Sequence, residues 1–310
     1  MAKRYTSFAE VWNSAKKSDP LPLSVVAAHD VDVLTAVHLA LQSDAILPYL
    51  IGDAHSIEQL AERIGIDRDR VVVIPSHSDE ESAYIAAEFA DRGVVRCVMK
   101  GMLNSSVFLK GILNRDFHLR TGRLLSHLSI FEIPGFSRLL FLTDGGLNIH
   151  PNLEEKDAIL MNSVDFIRDL GIEIPKVALL AANEQINEKM SVTVDTHQLS
   201  SRGRQGHFGP AIVEGPLSLD LALSKEAVEH KGIQSEINGE ADLLFVPTIE
   251  VGNVLGKAIT YFGHGVMAGL VLGAKVPLIL TSRTDSYSAK LASIGFAMLA
   301  SSHFLTMERS

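Results

Sequence analysis

One cysteine, Cys97, and one tryptophan occur in 310 residues, and aromatic side chains make up only 6%. A lone cysteine excludes an internal disulfide framework and a multi-cysteine zinc site, and it fits a reducing, cytoplasmic setting. No apolar run approaches the roughly 20 residues needed to span a bilayer. The opening "MAKRYTSFAEVWNSAKK" lacks the apolar core of a signal peptide and reads as an amphipathic helix. Positive charge is also scarce, with a net charge of -9. That argues against a nucleic-acid partner, which needs a broad basic face. Any anion site in this chain must therefore be local.

What the chain has is apolar substance: 46% of its residues are hydrophobic, enough for one large domain or two ordinary ones. Short β-branched runs, among them 23–29, 47–53, 70–76, 94–100, 176–182, 242–248 and 276–282, alternate with stretches of helical period. This pattern predicts an α/β fold with a mostly parallel sheet covered on both faces. "LSIFEIPGFSRLLFLTD" breaks the alternation as strand, Pro134-Gly135 turn, strand, a hairpin signal and a place to pass from one lobe to another. The expected division is 1–133 plus 279–310 in a first α/β lobe and 134–278 in a second, with a cleft between them.

Ligands of open parallel sheets collect where strands end and helices begin. Three such junctions carry anion-handling chemistry. "KGMLNSSVFLKGILN" (100–114) puts Lys100 and Gly101 at a strand end, then Asn104, Ser105 and Ser106 at a helix start. That is a phosphate cradle in form, without the P-loop spacing; an ordinary cap beside an exposed lysine is the other reading. "RDFHLRTGRLLSH" (115–127) concentrates Arg115, Arg120 and Arg123 around Thr121 and Gly122. Guanidinium forks make paired, charge-assisted bonds to phosphate oxygens, each worth about 1.5–3 kcal/mol when shielded, although a solvated face has the same composition. "LILTSRTDS" (278–286) ends a strand on Ser282, Arg283 and Asp285. A fourth junction, "VPTIEVGNVLGKA" (246–258), offers Glu250 and Asn253 as substrate contacts or as simple capping residues. Gly263, Gly265 and Gly269 do not make a dinucleotide fingerprint, because no strand precedes them and the last spacing is too long. Cys97, inside the run "VVRCVMK", reads as buried and inert. The twelve histidines show no metal-site pattern, and no nucleophile elbow occurs.

In this order and spacing, "VAAHD", "LIGD", "LRTGRLLSHLSIFEIPG", "LLFLTDGGLNIHPNLEEK", "VEGPLSLDLALSKEAVEHKG", "ADLLFVPTIEVGNVLGKAITYF" and "LTSRTDS" resemble the phosphate acetyltransferase/butyryltransferase family, nearer its butyryltransferase branch. The resemblance covers nearly the whole chain. It implies two α/β lobes of isocitrate dehydrogenase-like architecture and reversible acyl transfer between CoA and inorganic phosphate through a ternary complex. It implies no tightly bound cofactor, with acyl-CoA and phosphate as substrates. A homo-oligomer and an acyl phosphate kinase as metabolic neighbour also follow from it. By the same resemblance Arg283 binds phosphate and Ser282 bonds near the thiol or carbonyl. Lys100 to Ser106, Arg120, Thr121 and Arg123 serve CoA or phosphate, and Glu250 and Asn253 approach from the second lobe. The acetyltransferase branch has an aspartate base seven residues after the serine, where this chain has Ala289. Asp285, within the butyryl-type pattern Ser-Arg-x-Asp-Ser, is the expected substitute, with thiol activation by nearby positive charge alone as the alternative. The competing expectations are a metal- and NAD(P)-dependent dehydrogenase of the same fold and a catalytically silent CoA or acyl phosphate binding protein.

Overall fold

A computed structural model describes residues 4–307, and side chains up to Ser301. The chain divides into two compact units. A terminal unit holds Phe8–Arg123 and everything from Ala268 onward; a central unit holds Leu124–Met267 with the segment up to Ser7. The chain changes unit at 123/124 and 267/268, where the sequence reading places the lobe boundaries at 133/134 and 278/279.

The terminal unit is built from β1 (Leu21–Val26), β2 (Ile46–Gly52), β3 (Val72–Pro75), β4 (Cys97–Lys100), β10 (Val266–Leu272, from Ala268 on) and β11 (Leu278–Ile279), in the spatial order β3-β2-β1-β4-β11-β10. All pairs among β1–β4 and β11 are parallel; β11 meets β10 antiparallel. Its helices are α1 (Phe8–Ala15), α2 (Val31–Gln42), α3 (Ala54–Ile64), α4 (Asp79–Asp91), α5 (Ser105–Ile112) and α11 (Tyr287–Met307). The strands are buried on both faces, as near-continuous apolar runs require: Leu23, Val25 and Val26 of β1 and Cys97 to Met99 of β4 are sealed from solvent. Burial also pushes the Cys97 thiol far above its ordinary range, so it is an inert core residue.

The central unit orders its strands β5 (Ser126–Glu132), β6 (Leu140–Thr143), β9 (Leu243–Phe245), β7 (Lys176–Leu180) and β8 (Ile212–Leu217). The β5–β6 pair is the antiparallel hairpin around Pro134-Gly135, and both of its arms lie in this unit. The other pairs are parallel. Its helices are α6 (Leu153–Asp169), α7 (Ser191–Arg204), α8 (Leu219–Leu223), α9 (Lys225–Lys231) and α10 (Ile249–Tyr261). The stretch "SLDLALSKEAVEHKG" forms two short helices, α8 and α9, with a break at Ser224. Ser224 adopts an extended conformation and its hydroxyl accepts the Ala227 N–H, capping α9. Among the described residues no helix is long and apolar enough to cross a membrane.

Candidate functional site

In the terminal unit three chain segments end side by side. The parallel register sets Val26 of β1 opposite Lys100 of β4, and Met99 opposite Ile279 of β11. The segments that follow these strands therefore emerge at one edge, the strand-end position where α/β proteins bind ligands. Gly101 makes the closeness possible: a Cβ there would stand 2.3 Å from the Ala27 carbonyl oxygen. Its N–H donates to Val26 O, and Met102 N–H to Ala27 O.

The segment after β11 folds into a tight polar turn. Ser282 N–H donates to the Asp285 carboxylate at 2.7 Å, Asp285 N–H returns to Ser282 O, and the Ser282 and Thr284 hydroxyls are 3.0 Å apart. Ser282, Arg283 and Thr284 are exposed. The Arg283 guanidinium is fixed by a 2.9 Å bond to the side-chain oxygen of Asn104. Asn104 is the N-cap of α5, yet its side chain makes no cap bond to that helix. With the cap oxygen committed to Arg283, no side-chain cap covers the first-turn amides of Ser105 and its neighbours, which keeps the positive end of the helix open to an anion.

Lys100 lies behind this turn, 3% exposed, and donates to the Gly101 and Leu103 carbonyls, both at 3.2 Å. Burial, reinforced by the charges of Arg283 and Lys290 and opposed by Asp285 and Asp30, brings its ammonium down to about 8. Lys290 is itself buried in α11 and donates to the Asp285 carbonyl. Ala289, where the acetyltransferase branch carries its aspartate, is 3% exposed in the first turn of α11. Lys290 escaped the sequence reading although it left a signal: it is the one Asp, Glu, Lys or Arg in the apolar stretch 287–307. Asp30, which closes the "VAAHD" stretch after β1 and caps α2, is not among the site residues the sequence suggests.

The arginine-rich segment has two fates. Arg120 pairs its backbone with Ala274, donates its Nε to Leu113 O, and lines a cavity of about 620 Å³ with Tyr84, Ser106, Lys110 and Arg115. Thr121 donates its hydroxyl to Gly273 O at 2.6 Å and accepts the Arg123 N–H, so it braces a loop that turns at Gly122, φ +85°. The sequence grouped these residues as one cluster; in the structure Arg120 and Arg115 face the cavity while Thr121 is held by backbone.

Glu250 and Asn253 belong to the central unit, in the first turns of α10. Glu250 sits 3.5 Å from His150, and the Thr248 hydroxyl, ahead of that histidine, holds its carboxyl below the usual range. Asn253 donates to Gly145 O at 3.4 Å. The loop it touches is anchored by buried Asp144, whose carboxylate accepts the N–H groups of His127, Gly146 and Leu147 and the Asn148 amide. Gly145 and Gly252 let this loop and α10 meet, since a Cβ on Gly252 would lie 2.6 Å from Gly145 Cα.

Among the described residues no three His, Cys, Asp or Glu side chains gather as a metal site requires. Residues 79–298 match the family described as "Phosphate acetyl/butaryl transferase". The phosphate butyryltransferase of Clostridium acetobutylicum is 40% identical over 293 residues, covering 94% of this chain and 97% of that protein. The phosphate acetyltransferase of Rickettsia felis is 36% identical over 285 residues, covering 92% and 82%. The crystal structure of a branched-chain phosphotransacylase from Enterococcus faecalis V583 superposes with a TM-score of 0.80 at 33% identity, covering 91% of this chain and 99% of that one. With the family pattern running through most of its length, the chain belongs to the phosphate acetyl/butyryl transferase family.

Proposed function

We propose that this chain is a phosphate acyltransferase that moves a short-chain acyl group reversibly between CoA and inorganic phosphate, with butyryl-type and branched acyl groups ahead of acetyl. The observation that carries this reading is Arg283 braced by Asn104 at the uncapped start of α5, beside Ser282 and in front of buried Lys100. Phosphate held there receives a guanidinium fork and helix amides; Ser105 and Ser106 add hydroxyls. Fixing phosphate against the thioester removes the freedom of a bimolecular encounter, which supplies about 7–11 kcal/mol of the barrier. The Ser282 hydroxyl serves as a donor to the oxyanion that forms at the acyl carbon. Asp285 acts through its bond to Ser282 N–H, which shapes the turn. The cavity beside Arg120 suits the phosphates of CoA, with Lys110 and Arg115 supplying charge and Tyr84 a flat apolar surface. Arg123 adds charge at the neighbouring loop.

The enzyme in this reading holds no tightly bound cofactor, works in the cytoplasm as a homo-oligomer, and hands its acyl phosphate to a kinase. Incubation with butyryl-CoA and phosphate releases free thiol, read with a thiol dye. Arsenate replaces phosphate and drives net hydrolysis, because acyl arsenates decompose. A dehydrogenase or a silent binding protein does neither, so an absence of thiol release across acetyl- to valeryl-CoA sinks the reading. Arg283→Lys, which loses the planar fork, raises KM for phosphate at least about tenfold.

A further inference from the structure

We propose that Lys100 is the proton carrier of the reaction, taking the proton from the CoA thiol and returning it, where the acetyltransferase branch uses an aspartate. The proposal rests on the acyl-transfer reading of this site. Its foundation is the hydrogen-bond count around one nitrogen. A neutral primary amine has two N–H bonds and a lone pair; an ammonium has three N–H bonds and none. Lys100 Nζ has two carbonyl acceptors, Gly101 O and Leu103 O, at 3.2 Å each. That arrangement satisfies both donors of the neutral amine and leaves its lone pair to accept a proton.

The surroundings favour the same form. Arg283, from the turn after β11, and Lys290, from α11, oppose a third positive charge, and burial removes the water that would stabilise it. Asp285, from the same turn, and Asp30, capping α2, pull the other way. Each has a carboxylate oxygen engaged by a backbone N–H, of Ser282 and of Val33. The balance leaves the amine close to half neutral in mildly alkaline solution, near the optimum for exchanging a proton with a thiol. No aspartate is required at Ala289.

In the acyl-CoA-forming direction the Lys100 lone pair takes the thiol proton and the sulfur attacks the acyl carbonyl, forming the C–S bond. The tetrahedral adduct collapses with cleavage of the C–O bond to phosphate, and the departing phosphate takes the proton from the Lys100 ammonium, leaving as hydrogen phosphate. The reverse direction runs the same transfers backward, and no further reactant is consumed.

The test uses butyryl phosphate and CoA between pH 6 and 10. Wild-type kcat/KM rises with pH as one ionisation of the free enzyme and levels off above about 8. Lys100→Arg, which keeps the charge but not the base, and Lys100→Ala both lower kcat by about 10²–10⁴ with little change in KM for butyryl phosphate. Added ethylamine restores part of the Lys100→Ala activity. Near wild-type kcat in Lys100→Arg overturns the proposal, as does loss of the pH-dependent rise in Asp285→Asn while the Lys100 variants retain it. Should the variants fail to fold, NMR titration of 13C-lysine wild-type protein decides: a Lys100 that stays fully protonated to pH 9.5 refutes it. Inactivity of the wild type toward every acyl-CoA is a different failure, that of the acyl-transfer reading itself.

Discussion

Lys100 also ties the site to stability. Its ammonium titrates at about 8 in the folded chain against an ordinary 10.5. Between those values the unfolded chain binds more protons, so stability rises with pH across that window; below about 8 the cost of burying the charge is fully present. Urea unfolding in phosphate-free buffer will show wild type gaining stability from pH 8 to 10 relative to Lys100→Met. Parallel curves for the two proteins would remove this linkage. An anion bound at Arg283 reverses the balance by favouring the ammonium, so phosphate binding near pH 8 takes up protons. Calorimetry in buffers of differing ionisation enthalpy reads that uptake directly.

At the level of elements, the site depends on how closely segments approach. Gly101→Ala drives a Cβ to 2.3 Å from the Ala27 carbonyl, forcing apart the ends of β1 and β4 that hold Lys100 and Asn104 in place. Expected is a loss of phosphate binding larger than the loss of helix content, measured by titration and circular dichroism on one sample. By contrast Asn152→Ala acts on stability alone. It removes the capping box that Asn152 and Glu155 form at the start of α6, at a cost of about 1 kcal/mol, with kcat unchanged. Strand placement was legible from β-branched runs because a parallel strand buried on both faces must be continuously apolar. Strand length was less so: 276–282 read as one strand, yet β11 stops at Ile279. The chain leaves the sheet to form the Ser282–Asp285 turn, whose bonds compete with the ladder.

For the whole molecule, α10 and its C-cap expose an apolar stripe, with Val254 67%, Tyr261 71% and Phe262 86% accessible. Its spacing follows one helix face, and its inward residues are glycines, Gly252 and Gly256. Glu250 near its start and Lys257 near its end make the stripe self-complementary: two antiparallel copies set unlike charges together. The homo-oligomer of the proposed function would seat a second copy of this chain on the stripe. Tyr261→Ser with Phe262→Ser shifts the sedimentation coefficient to that of a monomer; an unchanged coefficient places the contact elsewhere.

By itself the sequence determined the elements, the family and the residue types at the strand ends, because hydrophobic period, turn chemistry and short polar motifs are written locally. It marked Ser282, Arg283 and Asn104 as anion-handling groups. Only the tertiary structure decided what each does with its hydrogen bonds. Asn104 leaves its own helix uncapped to brace a guanidinium 179 positions away, and Thr121 is held by backbone. Lys100, which reads either as a phosphate ligand or as an exposed lysine beside a cap, is a buried amine facing two carbonyls. Burial and the field of charges drawn from three other chain segments are nonlocal quantities, and a lysine's protonation depends on both.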